Sequence, residues 1–367
     1  MRRVAIVHDW LTGMRGGERC LEVFCELFPE ADLFTLLYCR GAVSEAIERM
    51  RIYTSFIQRL PLAKRFYRYY LPLFPSAIEH FNLKGYDLIL SSSHCVAKGV
   101  IRPPGALHIS YTYTPDHFVA ISHHVAERIR RHYGREAMVI HPPVDVERFQ
   151  PSEMEGEYYL VVSAFAPYKR IDLAIQAFDH LKLPLKIVGW GPEEGRLRQL
   201  AGPTVEFLGR RSDEELSRLY ARCRALIFPG EEDFGIVPLE AQASGRPVIA
   251  YGKGGVLETV IPLNSEELGV RSQELEVRSS GFPPPTSHLP PPTGVFFYEQ
   301  TVDALIEAVE LFEKNTHRFE KKRLRDHALR FDRAIFKQRI HSFIEEKWHE
   351  FKGQSSIPDL RTLNLEP

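Results

Sequence analysis

The chain has 367 residues, more than one ordinary hydrophobic core needs, and this length predicts two domains. Its 47 Lys and Arg residues balance 48 Asp and Glu residues, so net charge gives no reason to expect a nucleic-acid partner. The five cysteines form no CxxC pair and no His/Cys metal cluster, which favours reduced thiols and a cytoplasmic location. No apolar run approaches the roughly 20 residues that span a bilayer. The apolar start of the chain is shorter than a signal peptide and is typical of a first strand.

The first half predicts strands that alternate with helices and polar loops. A strand over residues 4–7 leads through a loop with Gly13, Gly16 and Gly17 to a helix over residues 19–28. Glycines at this place let the backbone approach a ligand closely, although their spacing is not the GxGxxG fingerprint. A tight turn that binds nothing is the alternative. Further strands are predicted over residues 31–37, 86–90, 117–122 and 137–140, and a strand with its loop over residues 106–115. A helix is predicted over residues 123–133, between the cap Ser122 and Gly134.

Residues 49–75 combine basic and aromatic side chains and contain no acidic residue. This composition fits a helix that lies on an anionic membrane surface, or an acceptor-lipid site. A solvated basic face over an aromatic core is an equally weighted alternative. Nucleic-acid binding is a third interpretation, for which such a patch alone is weak support.

The second half repeats the alternation and predicts a second parallel α/β sheet. Strands are predicted over residues 158–162, 185–189, 205–208, 225–228, 246–250 and 294–297, and helices over residues 171–181, 193–201, 213–223, 237–244, 301–313 and 331–351. The polar run over residues 147–157 is predicted to link the two halves. Residues 281–292 are rich in proline and predict an irregular surface loop.

Residues 228–250 read as strand end, acidic loop, short helix and new strand. This places Glu232 in the loop and Glu240 in the helix. The loop also offers backbone N–H groups at the positive end of the helix dipole. Such a set suits a ligand that carries both hydroxyl groups and phosphate. The backbone N–H groups at the start of the helix are those of Phe234, Gly235 and Ile236.

The segment EDFGIVPLE over residues 232–240 resembles the E-x7-E motif of retaining glycosyltransferases of family 4, of the mannosyltransferase type. Supporting pieces are PYK at 167–169, GWGP at 189–192, FLG at 207–209, GRPV at 245–248 and GGVLE at 254–258. The resemblance covers most of the chain. It implies the GT-B architecture, an α/β fold in which two Rossmann-like doubly wound parallel-sheet domains face a cleft. The implied parts are an acceptor domain over residues 1–145, a donor domain over residues 155–330, and a terminal helix over residues 331–352 that returns to the first domain.

The resemblance also implies site roles. Glu232 would hold sugar hydroxyls, and Lys169, with Arg170, would neutralise the diphosphate of a nucleotide-sugar, so that no metal or cofactor is required. Glu240 would accept hydrogen bonds from the ribose. Gly209 and Arg210 would lie beside the base, and Gly16 and Gly17 would approach the diphosphate or the reacting sugar. The alternatives are that Glu232 and Glu240 are ordinary surface carboxylates and that Lys169 is a solvated loop residue.

Three departures from the family concern the reaction itself. Ala164 stands where many relatives carry Arg, which leaves more of the phosphate charge to Lys169. Tyr113 stands where relatives have a histidine near the reacting sugar. Pro115 joins Asp116 directly, whereas relatives have a few dozen residues there that help to build the acceptor side. Tyr113 and His94 remain the acceptor-side candidates.

The first functional hypothesis is an enzyme that moves a hexose, mannose preferred, from a nucleotide-sugar to a glycan or polyprenyl-linked glycan in cell-surface polysaccharide synthesis. It would be cytoplasmic and would contact the inner face of the plasma membrane through residues 49–75. The second hypothesis is a catalytically impaired nucleotide-sugar-binding protein, because Tyr113 replaces the histidine and an acceptor-side segment is missing. A third is another GT-B activity, an epimerase or a phosphorylase, for which no cofactor lysine stands out.

Overall fold

The protein divides into two compact units in the computed structural model, which describes residues 2–93, 95–111, 117–153, 156–263 and 291–355. Unit 1 comprises Met1–Pro143 and Ala334–Pro367, and unit 2 comprises Val144–Arg333. Each unit contains one parallel sheet. The sequence-predicted proline-rich segment over residues 281–292 falls almost wholly outside the described residues.

The sheet of unit 1 has the strand order β3-β2-β1-β4-β5-β6-β7, and every neighbouring pair is parallel. Its strands are β1 (Val4–His8), β2 (Asp32–Thr35), β3 (Arg51–Thr54), β4 (Leu88–Ser92), β5 (Leu107–Tyr111), β6 (His117–Ala120) and β7 (Ala137–Val139). The sequence did not predict β3. This strand is mostly exposed at the edge of the sheet, so it lacks the apolar run that marks the inner strands.

Helices cover both faces of this sheet. They are α1 (Gly16–Leu27), α2 (Glu45–Glu48), α3 (Ala63–Phe66), α4 (Phe74–Glu79) and α5 (His123–Tyr133). Side chains alternate along β1, so Val4 and Ile6 share a core cluster with α1, whereas Ala5 and Val7 share one with α3 and α4. As predicted, the Ser122 hydroxyl caps α5 by accepting a hydrogen bond from the Val125 N–H at 3.0 Å.

Two predictions for unit 1 were wrong in detail. Residues 49–75 do not form one helix: they comprise β3, a 3₁₀ turn over Phe56–Arg59, α3, and a second 3₁₀ segment over Tyr67–Leu73. Proline and turn-forming positions break the helical periodicity there. The first long helix begins at Gly16 rather than at Arg19, so Gly16 and Gly17 lie in its first turn and not in the preceding loop.

The sheet of unit 2 has the order β10-β9-β8-β11-β12-β13 and is parallel throughout. Its strands are β8 (Tyr158–Ala164), β9 (Leu185–Trp190), β10 (Val205–Gly209), β11 (Cys223–Phe228), β12 (Val248–Tyr251) and β13 (Gly294–Phe297). Its helices are α6 (Ile171–Leu181), α7 (Glu194–Leu200), α8 (Asp213–Arg222), α9 (Ile236–Ala243), α10 (Val256–Thr259), α11 (Val302–Lys314) and α12 (Lys321–Leu329). This strand order is that of a Rossmann domain. The sequence did not predict α12, which packs against α9.

The terminal helix α13 (Arg333–Ser355) belongs to unit 1 and contributes to its core. Phe336 and Ile340 are buried in the same cluster as α1 and the inner strands. The ring of Phe336 lies 6.5 Å from that of Phe24 and 5.7 Å from that of Tyr111, measured between centroids. A segment almost two hundred residues away in sequence from β7 therefore completes the core of unit 1.

We expect Phe336→Ala to lower the free energy of unfolding by about 3–5 kcal/mol, because it leaves a cavity between α1, α13 and β5. The exposed neighbour Ile335 provides the control, and Ile335→Ala should change stability by less than about 0.5 kcal/mol. Denaturant titration followed by circular dichroism measures both. Equal stability of the two variants would contradict the packing of α13 into this core.

Candidate functional site

The centre of the unit 2 sheet contains a topological switch point. The chain runs from β8 outward through β9 to β10, and then crosses back to place β11 on the other side of β8. Loops that leave adjacent strands at such a point diverge and open a crevice at the carboxyl edge of the sheet, where open α/β folds bind ligands. Lys169 lies in the loop after β8, and Glu232 lies in the loop after β11.

Lys169 and Glu232 form an ion pair between Nζ and Oε1, and both side chains are largely buried. Their loops are in direct contact, because a Cβ atom added at Gly230 would lie 2.9 Å from Lys169 Cα. The ammonium group also lies 4.9 Å from the centroid of the Tyr168 ring. The structure thus brings together the two residues that were expected to contact the sugar hydroxyls and the diphosphate.

Burial lowers the pKa of Lys169 to about 8, and the negative charge of Asp233 opposes this shift. The ammonium group is therefore charged at neutral pH but poorly hydrated. A cation in this condition interacts strongly with an anion that enters the crevice. Arg170 has its guanidinium Nε 3.3 Å from the Asp172 carboxylate, at the start of α6.

Gly254 and Gly255 fix the backbone of the acidic loop. The Glu232 carbonyl accepts a hydrogen bond from the Gly255 N–H at 2.8 Å. A Cβ atom at Gly255 would lie 2.3 Å from Phe234 Cα, and Gly254 has a positive φ of 80°. Only glycine fits this close approach of two backbones. The sequence quoted the two glycines as part of a motif but did not predict that they hold the Glu232 loop.

The helix after the acidic loop starts at Ile236, with Gly235 at the N-cap and a φ of 94°. The Phe234 side chain points into the protein, where its ring lies 5.9 Å from that of Phe331. Gly245, predicted to end the helix, has a φ of 69°. The backbone of residues 234–236 therefore runs between a buried anchor and the helix N-terminus.

Glu240 lies in the second turn of α9, where Tyr220 of α8 donates a hydrogen bond from its hydroxyl to Oε2 at 2.8 Å. Tyr220 is completely buried, whereas Glu240 is half-buried. The tyrosine thus orients the carboxylate, a role that the sequence did not predict. A buried tyrosine needs a hydrogen-bond partner for its hydroxyl, and this requirement could have pointed to the contact between Tyr220 and Glu240.

Gly209 and Arg210 lie at the carboxyl end of β10, the edge strand of the sheet. Gly209 has a φ of 68°, and the Arg210 guanidinium carbon lies 4.1 Å from the centroid of the Trp190 ring. This cation–π pair joins the ends of β9 and β10. The structure places it at the same edge of the sheet as Lys169, two strands along.

The remaining candidates belong to unit 1. Gly16 and Gly17 form the first turn of α1, near its own switch point between β1 and β4. At that point the Asp9 carboxylate accepts hydrogen bonds from three consecutive N–H groups, those of Cys95, Val96 and Ala97, at 2.7–2.8 Å. No feature of the sequence indicated this anchor of the loop after β4. Tyr113 and His94 lie outside the described residues.

Residues 144–273 match the family described as glycosyl transferases group 1. The match covers most of the described site, from the loop after β8 to the glycines that hold Glu232. The two Rossmann-like units show that the fold is GT-B, as the resemblance implied. A solved structure of sucrose-phosphate synthase from Thermosynechococcus elongatus has the same fold, with a TM-score of 0.70 and 17% identity over 95% of this chain and 100% of that one.

Two curated relatives match shorter stretches. An uncharacterised glycosyltransferase of Methanocaldococcus jannaschii is 29% identical over 155 residues, which cover 41% of this chain and 44% of that protein. A GDP-mannose-dependent monoacylated alpha-(1-6)-phosphatidylinositol monomannoside mannosyltransferase of Corynebacterium glutamicum is 32% identical over 174 residues, which cover 39% of this chain and 46% of that protein. The chain thus spans less than half the length of these relatives.

We expect Gly255→Ala to destabilise unit 2 by about 1–3 kcal/mol, because the methyl group would collide with the backbone of Phe234. Gly195 in α7 serves as the control, since a Cβ atom there meets nothing within 4 Å. Gly195→Ala should leave stability unchanged or raise it by up to about 1 kcal/mol. Thermal unfolding measures both variants, and a stable Gly255→Ala protein would show that the loop is not clamped.

Proposed function

We propose that this protein transfers a hexose from a nucleotide-sugar to a glycan or polyprenyl-linked glycan acceptor, with retention of the anomeric configuration. The observation that carries the proposal is the largely buried pair of Lys169 and Glu232 at the switch point of unit 2. We infer GDP-mannose as the preferred donor, in line with the activity for which the Corynebacterium relative is named. The cell context is polysaccharide synthesis at the inner face of the plasma membrane.

Lys169 would act on the leaving group. When the bond between the anomeric carbon and the diphosphate breaks, the diphosphate keeps the electron pair, and its charge increases on the oxygens that face the ammonium group. The acceptor hydroxyl forms the new bond to the same carbon, and its proton passes to the departing diphosphate. A lysine that is already desolvated stabilises this charge without reorganising water.

Glu232 would be released from Lys169 as the diphosphate arrives, and its carboxylate would then accept hydrogen bonds from the sugar hydroxyls. The clamp by Gly254 and Gly255 keeps that carboxylate in place during the exchange. The backbone N–H groups of residues 234–236 would assist Glu232 at the positive end of α9.

The rest of the donor would extend along the same edge of the sheet. Glu240, oriented by Tyr220, would accept hydrogen bonds from the ribose, and Gly209 with Arg210 would lie beside the base. Arg170 would assist at the diphosphate by exchanging its Asp172 partner for phosphate oxygens. We assign no metal or cofactor to the reaction, because Lys169 offsets the charge that a metal would otherwise neutralise.

The acceptor side is proposed for unit 1, with Gly16 and Gly17 near the reacting groups and Tyr113 and His94 as candidate contacts. The second candidate function, donor binding without turnover, is favoured by Tyr113 in place of a histidine and by the direct join of Pro115 to Asp116. Calorimetric binding of a nucleotide-sugar together with an absence of transfer and hydrolysis would select it.

We expect Lys169→Ala and Glu232→Ala each to lower the transfer rate by on the order of 10²-fold or more, because each removes charge stabilisation or positioning from the transition state. The matched controls are Lys253→Ala and Glu231→Ala, which break a neighbouring ion pair of 3.2 Å beside the proposed site. The donor is first chosen by thermal stabilisation with a panel of nucleotide-sugars, and rates are measured in the presence of EDTA. Near-wild-type rates for either site variant would remove that residue from the mechanism.

We expect the affinity for the nucleoside diphosphate to fall as the pH rises above about 8, the pKa of Lys169 in the free protein. Lysine is protonated below its pKa, so the favourable charge is fully present at lower pH and is lost through that value. Lys169→Arg keeps its charge at all these pH values and should flatten the profile. Calorimetric titration from pH 6 to 10, with equal slopes for the two proteins, would show that Lys169 does not contact the diphosphate.

A further inference from the structure

Unit 1 has an exposed surface built from residues 56–73, which follow the edge strand β3 as short helical turns. We name it the 56–73 surface. Its inward side chains anchor it firmly: Ile57, Ala63 and Tyr67 are buried in the core cluster that includes Ala5 and Val7. The backbone that carries the outward side chains is therefore anchored to the core of unit 1.

The outward side chains are unusually apolar for a solvated face. Tyr69 is 82% exposed and Leu62 is 70% exposed. The rings of Phe66 and Tyr69 lie 6.0 Å apart, so these side chains cluster. Contiguous exposed apolar side chains mark interaction sites rather than solvated surface. The full set of large exposed apolar residues is Phe56, Leu62, Phe66, Tyr69, Leu71 and Leu73.

Leu62 has a strained backbone. Its φ is 52°, in the left-handed region, where glycine or asparagine is the usual choice. A leucine at this position costs conformational energy and gains no burial within the unit. Strain that serves no internal packing points to a function for the exposed side chain.

The charge of the same surface has a single sign. Arg59, Lys64, Arg65 and Arg68 are exposed, and the sequence has no acidic residue between Arg49 and Glu79. Among the described residues, these four basic side chains have no ion-pair partner. The Arg65 guanidinium carbon lies 5.2 Å from the centroid of the Phe66 ring, so charge and apolar surface are interleaved.

We propose that the 56–73 surface seats the protein on an anionic lipid bilayer. Its leucine and aromatic tips would enter the boundary between headgroups and acyl chains, and its basic groups would pair with lipid phosphates. Exposed leucines decide against nucleic acid, which offers aromatic stacking and phosphate but no apolar interior. Among the described residues, no helix is long and apolar enough to cross a bilayer. The inference rests on the proposed function and names the surface that would hold the protein at the plasma membrane. Vesicle binding is measured without donor or acceptor, so a failure to bind lipid is distinguishable from a failure to transfer sugar.

Vesicle sedimentation of the full chain tests the charge. The protein should partition onto vesicles of phosphatidylcholine with phosphatidylglycerol, bind pure phosphatidylcholine weakly, and lose affinity as salt is raised. The double variant Lys64→Glu/Arg65→Glu should lower partitioning by at least about tenfold. Its control is Arg40→Glu/Lys322→Glu, which makes the same change in net charge at exposed positions outside the surface and should stay within about twofold. Equal losses in the two double variants, or no binding to anionic vesicles, would overturn the proposal.

Fluorescence quenching by brominated lipids tests the apolar contact. The fluorescence of the tryptophan introduced by Leu62→Trp should be quenched when anionic vesicles that contain brominated lipid are added. Trp introduced by Met138→Trp, at the exposed opposite edge strand β7, should not be. Thermal unfolding confirms that the variants fold. Bound protein with an unquenched Leu62→Trp, or binding of an acidic polymer in place of vesicles, would also overturn the proposal.

Discussion

The candidate site of unit 2 depends on one largely buried ion pair, between Lys169 and Glu232. Removing two charges from water costs more than their attraction returns unless both are held in good geometry. The fold meets this condition with two loops from adjacent strands, which touch at Gly230, and with a glycine pair that fixes the carbonyl of Glu232. Under the proposed function, an arriving diphosphate would take the place of Glu232 beside Lys169, so the pair marks the candidate site.

Much of this arrangement could be predicted from sequence, because inner strands of parallel sheets are continuous apolar runs and helices begin and end at recognisable caps. Ser122, Gly134 and Gly245 lie where they were predicted, at helix ends. The placement of Lys169 and Glu232 in loops that follow strands came from strand alternation together with the family resemblance. The direct pairing of Lys169 with Glu232 could not be predicted, because local periodicity in the sequence does not determine the order of strands in a sheet.

The misses have a common physical origin in contacts between distant segments. β3 is exposed at an edge, so no apolar run reveals it. Tyr220 and Gly255 act through partners that are far away in sequence, Glu240 and Phe234, and only the folded chain brings them together. Residues 49–75 show a different limit: their composition suggested one helix, whereas their backbone is a strand and several short turns.

The position of α13 has a consequence for how the chain is made. Unit 1 consists of residues before 144 and after 333, so unit 2 is an insertion within it. During synthesis, unit 2 emerges complete before the helix that carries Phe336 and Ile340 leaves the ribosome. The first seven strands must therefore wait with part of their apolar face uncovered. During this interval the uncovered apolar surface is open to non-native contacts, and it is covered only when the last helix docks.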